Sequence, residues 1–137
     1  MRISNKSFVI PVLSFGVVMF LLSAASVQKQ DTWDVPDSYR KMKNPVIADS
    51  ASISDGQILY KKHCGSCHGR TGLGDGVKAR QIQTWPGDLS SDVYQDQSDG
   101  EQFYKSKFGK DEMPSYEKIL TDEEIWDIVN YMRTFRN

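Results

Sequence analysis

The chain has 137 residues, enough for one small domain, and its 17 basic and 18 acidic side chains leave a formal net charge of −1. A near-neutral chain without a basic stripe is a poor match for nucleic acid as a partner. Only 39% of the residues are hydrophobic, a modest supply for a domain that buries a limited share of its surface, so a large apolar cofactor would complete the core.

Arg2 and Lys6 precede an apolar run from Phe8 to Ala25. The small residues Ser23 and Ala25 at its end match the cleavage site of a secretory signal. The run is also long enough for an uncleaved membrane anchor, weakened by Pro11, Ser14 and Gly16. Either way Arg2 and Lys6 hold the short N-terminal end in the cytoplasm, so the remainder is expected to be exported, periplasmic or on the outer face of the cytoplasmic membrane. No Cys lies near Ala25 to carry a lipid. The expected organisation is a signal peptide or anchor over 1–25, a polar arm over 26–50 and a domain over 51–137. Pro36 and Pro45 interrupt any regular period in the arm, while Trp33, Val35 and Tyr39 argue that it docks on the domain.

The first predicted helix begins at Ser52, with Asp55 as a weak capping partner, carries Ile53, Ile58, Leu59 and Tyr60 on its apolar side, and ends near His63. Gly56 inside it costs about 1 kcal/mol relative to Ala, which points to something large pressed against the backbone. This helix leads into Cys64-Gly65-Ser66-Cys67-His68. Two sulfurs at that spacing can form thioethers with the vinyl groups of a haem, and the adjacent imidazole is then placed under the iron. Zinc would need two further thiolates or imidazoles, and the two Cys and two His of the chain are all crowded into this run. A redox dithiol would follow a strand rather than a helix. The run therefore predicts one covalently bound haem c, attached through Cys64 and Cys67, with His68 as an axial iron ligand. His63 reads as a surface residue or one on the propionate side of the haem. The glycines that follow, Gly69, Gly72, Gly74 and Gly76, lack the strand and the Gly-Lys-Ser/Thr of a phosphate-binding loop and are expected to let backbone pass close to the cofactor.

Farther along, Val77 to Ile82 predicts a short helix and Trp85-Pro86-Gly87-Asp88 a turn. Ser98 and Glu101 form a capping box for a helix through Phe103 and Tyr104, closed by Gly109. Lys110 to Pro114 is expected to be extended, because Pro114 biases Met113 away from helical geometry. Thr121 and Glu124 form another capping box, and Ile125, Trp126, Ile128, Val129, Met132 and Phe135 continue at helical spacing.

From about Ser52 to Phe135, the helix carrying C-x-x-C-H, the glycine-rich loop, the isolated Met113-Pro114 and the last helix together resemble a class I cytochrome c. The Gly-Asp-Gly loop and the arm look more like the bacterial single-haem members. The resemblance implies an all-α, cytochrome c-like fold of three or more short helices around the haem. It also implies a close crossing of the first and last helices, with Gly56 against Tyr131 or Trp126, and makes Met113 the distal sulfur ligand. Elimination agrees on Met113: Met1 and Met19 lie in the N-terminal segment, Met42 in the arm, and Met132 on the core face of a helix. In the better-known members a proline about a dozen residues after the axial His accepts a hydrogen bond from that imidazole through its carbonyl. Residues 77–83 contain no proline, so the acceptor for His68 Nδ1 is left open.

With His68 and Met113 in both axial positions, the remaining chemistry is one-electron transfer through the haem edge. This predicts a carrier, not an enzyme, that shuttles electrons between redox proteins of a respiratory chain, such as an oxidase or reductase. The alternatives are a cytochrome subunit of a membrane oxidoreductase complex, tethered through residues 8–25, and a haem ligand sensor or peroxidase-like enzyme, against which stands the lack of a second usable His.

Overall fold

The computed structural model describes residues 33–136, so the segment expected to be a signal or anchor lies outside the described residues. Six helices follow one another: α1 (Asp37–Arg40), α2 (Ser50–His63), α3 (Gly65–His68), α4 (Asp92–Gln95), α5 (Asp99–Phe108) and α6 (Asp122–Arg133). Among the described residues the only strand-like pairing is an isolated bridge between Lys110 and Met113. The all-α expectation holds. No helix among the described residues is long and apolar enough to cross a membrane.

The last helix is the centre of the domain. Thr121 accepts from the Glu124 N–H while the Glu124 carboxylate accepts from the Thr121 N–H, the predicted capping box. Every residue from Ile125 to Met132 is buried, so α6 is enclosed all round rather than on one face. Its inward polar groups are satisfied across elements, as burial demands. Ser52 Oγ donates to Asp127 Oδ1 at 2.6 Å, and Asn130 Nδ2 donates to Ser52 Oγ at 2.8 Å. Phe103 of α5 stacks on Trp126 with ring centroids 4.1 Å apart. Tyr60, Tyr131 and Phe135 meet edge-on at 5.0 to 5.4 Å, a geometry that aligns ring edges with neighbouring faces.

Helix α2 starts earlier than predicted. Its cap is Asp49, whose carboxylate accepts from the N–H groups of Ala51 at 3.0 Å and Ser52 at 2.9 Å. Ser52 is drawn inside the helix because its hydroxyl serves α6 instead. The predicted helix over Val77–Ile82 is a run of turns. Two donors at its start point back to the motif: Gly76 N–H bonds to the Cys67 carbonyl at 3.1 Å and Lys78 N–H to the Ser66 carbonyl at 2.8 Å. The Ser98–Glu101 capping box opens α5 as expected, and Gly109 follows it with φ of 64°.

The arm docks, as Trp33, Val35 and Tyr39 suggested, and contains one helical turn that its irregular pattern hid. Pro36, with φ fixed at −59°, opens α1. Tyr39 then lies against Phe103, Tyr104 and Phe108, and Val35 is 3% exposed. Asn44 Nδ2 donates to Asn130 Oδ1 at 2.7 Å, pinning the arm to α6.

Gly56 lies where α2 crosses α6. A Cβ there would sit 2.5 Å from the Asp127 carbonyl carbon and 3.0 Å from Tyr131 Cβ. The partner is therefore the Asp127 backbone and Tyr131, not Trp126. Because backbone cannot swing aside as a side-chain end can, Gly56→Val is expected to destabilise the domain by about 2 kcal/mol or more. Denaturant unfolding of the holoprotein checks this; a change within about 0.5 kcal/mol would mark an ordinary surface position.

Candidate functional site

Cys64 continues the line of α2, its N–H bonding to the Tyr60 carbonyl at 2.8 Å. A fresh helical turn, α3, begins at once, with the N–H groups of Cys67 and His68 both bonding to the Cys64 carbonyl. Gly69 then reverses the chain with φ of 81°. One turn of helix thus holds both sulfurs at i and i+3, on one side, with the imidazole directly after. The tyrosines lock this turn in place: Tyr60 Oη donates to the Gly69 carbonyl at 2.9 Å, and Tyr116 Oη donates to the His63 carbonyl at 2.7 Å. His63 is half-buried, with its ring edge-on to Tyr116.

Both cysteines are free. Burial, and then the neighbouring Cys67, pushes the Cys64 thiol up to about 12. Among the described residues no group of three or more His, Cys, Asp or Glu is placed to hold a metal ion. Burial pushes the His68 imidazole down to about 4, against an opposing pull from a hydrogen bond to the Pro86 backbone. The ring is therefore neutral at pH 7, the protonation state able to ligate iron.

Proline has no N–H, so the Pro86 group that acts on the imidazole is its carbonyl. Nδ1 of His68 is fully enclosed and lies outside strict hydrogen-bond geometry with any partner. The Pro86 carbonyl thus faces the ring without closing an ideal bond. An acceptor is what fixes a ligating His, and the Pro86 carbonyl is the group beside the His68 ring; Pro86 lies just past residues 77–83.

The glycine-rich loop folds back on the chain itself. Gly74 N–H bonds to the His68 carbonyl at 2.9 Å, and a Cβ on Gly76 would come within 2.7 Å of the Cys67 carbonyl carbon. At Gly76 it is the motif's own backbone that excludes a side chain.

Met113 lies on a tight turn and not on the extended segment expected over Lys110 to Pro114, because reciprocal hydrogen bonds of 2.9 Å between Lys110 and Met113 fold the chain back. Asp111, at the first central position, has φ of 51°. Met113 is half-buried, whereas Met132 is 3% exposed in the core and Met42 38% exposed in the arm. Beside Met113, the Glu112 carboxylate accepts from the N–H of Gln83 at 2.9 and 3.0 Å and from the N–H of Thr84 at 2.8 Å. These bonds hold its carboxyl below the usual range. Three residues past Met113, burial and then the Cys64 and Cys67 sulfurs push the Tyr116 phenol up to about 12. Glu112 and Tyr116 were not anticipated from the sequence, because their partners are backbone groups far along the chain.

Residues 51–132 match the family model described as cytochrome c oxidase, cbb3-type, subunit III. The chain belongs to that family. It is a class I c-type cytochrome, and hence a haem c protein of electron transfer, all-α as its sequence predicted. No curated protein matches the cytochrome in sequence. Among solved structures, a chain of the reducing HAO-like protein complex of Kuenenia stuttgartiensis is 25% identical over 68% of this cytochrome and 47% of its own length, with a TM-score of 0.61. The cytochrome thus spans about half of that protein. The KustC0563 c-type cytochrome is 27% identical over 61% of this chain and 99% of its own, with a TM-score of 0.54. Cytochrome cL from the marine methylotroph Methylophaga aminisulfidivorans shares the fold, at 21% identity over 78% of this chain and 69% of its own and a TM-score of 0.54.

The residues present fit the family's haem: two free thiols on one helical turn, then a neutral imidazole faced by a carbonyl. Gly76→Ala, which sets a methyl group against the Ser66–Cys67 backbone, is expected to cost about 1–3 kcal/mol. Urea unfolding of the holoprotein measures it, and an unchanged midpoint would show that the 69–78 loop can move off the motif.

Proposed function

We propose that this cytochrome is a one-electron carrier with a single haem c, attached by thioethers to Cys64 and Cys67, with His68 as the proximal and Met113 as the distal iron ligand. When bound, haem c supplies a ferric/ferrous couple whose ferrous form a thioether ligand favours. Cys64 and Cys67 would fix the group's position, His68 would offer it a nitrogen lone pair, and Met113 would offer it a soft sulfur ligand. The chain has two Cys in all, enough for one covalent attachment. The observation that carries this reading is the Tyr116–His63 hydrogen bond, which brings the loop bearing Met113 back to the residue preceding Cys64.

The same reading makes the protein a carrier and not an enzyme, exchanging electrons with redox proteins of a respiratory chain outside the cytoplasmic membrane. Export rests on the apolar run over residues 8–25 behind Arg2 and Lys6. That run, together with the family's description as an oxidase subunit, favours a second reading in which the cytochrome stays tethered to a membrane complex. Membrane fractionation and intact mass of the exported protein separate the two and count the haems.

The ligand assignment has a sharper test. The wild-type ferrous protein is expected to be low-spin and slow to bind carbon monoxide at neutral pH, and the ferric protein to show a weak sulfur-to-iron absorption in the far red. Met113→Ala should abolish that band, admit carbon monoxide and lower the potential, because water or hydroxide replaces a soft ligand. Met132→Leu should leave the spectrum alone and cost under about 1.5 kcal/mol. Rapid carbon monoxide binding by the wild type would overturn the carrier reading.

A further inference from the structure

The segment 83–86 touches both loops that bear a candidate iron ligand. At its start, the N–H groups of Gln83 and Thr84 donate to the carboxylate of Glu112, the residue before Met113. At its end, the glycine loop carries the link to His68: Gly74 N–H bonds to the His68 carbonyl at 2.9 Å, and the Pro86 carbonyl stands beside the ring. Between them Trp85 is braced against the glycine loop, since a Cβ on Gly74 would lie 2.7 Å from its Nε1. The exposed indole, 59% accessible, therefore has a structural anchor.

The turn that carries Met113 needs such support. Its reciprocal Lys110–Met113 hydrogen bonds are local, and Asp111 sits in the left-handed region that L side chains disfavour. On the C-terminal side, the N–H groups of Tyr116 and Glu117 bond to the Lys107 carbonyl at 2.9 and 3.0 Å, and Tyr116 reaches His63. Glu112 makes the matching connection from the tip of the turn to the His68 side. Its oxygens are solvent-accessible, but three backbone contacts to an ionised acceptor have the geometry of charge-assisted hydrogen bonds.

We propose that residues 83–86 form a strut spacing the two candidate axial ligands, and that Glu112 is the positioning residue that ties the Met113 turn to it. The inference rests on Met113 being the distal ligand. Without the tie, the turn keeps its local hydrogen bonds but gains a population in which Met113 stands away from the iron, and a small ligand then competes for that position. The residue acts through Met113 and has no contact of its own with the iron.

The test compares wild-type holoprotein with Glu112→Ala, Glu112→Gln and Met113→Ala. Carbon monoxide binding to the ferrous form, the far-red band of the ferric form and the potential are the readouts. Glu112→Ala should bind carbon monoxide about tenfold faster than wild type, as expected for a modest rise in a minor open state, with a weakened far-red band and a lower potential. Glu112→Gln keeps an oxygen that can accept from both N–H groups, as Oε2 does in the native chain, and should restore most of the wild-type behaviour. Amide exchange at Gln83 and Thr84 should quicken in the Ala variant and return towards wild type in the Gln variant. If Met113→Ala opens the site while Glu112→Ala matches wild type in all readouts, the strut is wrong and the ligand stands. If Glu112→Gln is as open as Glu112→Ala, hydrogen bonding is not what holds the turn. If Met113→Ala leaves the band and the carbon monoxide rate unchanged, the ligand reading fails first, and this inference with it.

Discussion

Gly56 and Asp127 bring two helix backbones into direct contact, and the position of nearly everything else follows from that approach. A side chain larger than hydrogen at residue 56 would overlap the Asp127 carbonyl carbon. The close crossing lets Ser52 reach Asp127 and Asn130, and places Tyr60 among Tyr131 and Phe135. From there α2 delivers Cys64 and the turn of α3 at a fixed angle. The cost of a glycine in mid-helix, about 1 kcal/mol, is offset by interhelical contact that a longer residue would forfeit.

The site divides into a rigid half and a tied half. Cys64, Cys67 and His68 lie on helix, one turn long and locked by Tyr60. Met113 lies on a loop whose stability comes from its attachments, at Lys107, His63, Gln83 and Thr84. This division suits a group attached covalently on one side and ligated reversibly on the other. Tyr116 joins the two halves, its hydroxyl on the loop bonding to the His63 carbonyl at the end of α2.

What the sequence disclosed was set by local chemistry. The capping boxes at Ser98–Glu101 and Thr121–Glu124 were legible because a side chain and a backbone group three residues apart decide them. The C-x-x-C-H run was legible because its chemistry is written within five residues. The start of α2 was not, because Asp49 and Ser52 are both competent caps and the choice fell to a hydroxyl bond with a residue 75 positions away. The turns over 77–82 were not legible either, since their attachment is to the distant carbonyls of Ser66 and Cys67. Glu112 and Tyr116 act through backbone partners with no side-chain signature. Gly76 had no such local signal, since what excludes a side chain there is the backbone of Ser66 and Cys67.

The pinning of the arm to the last helix has a consequence in time. Asn44 and Asn130 are separated by 86 residues, and Gly56 can close on Asp127 only after α6 exists. Chains are made N-terminus first, and long-range closures of this kind come late because loop entropy opposes them. There is thus an interval in which Cys64 and Cys67 have emerged on a helix that has no partner. Arrival of the final helix ends that interval.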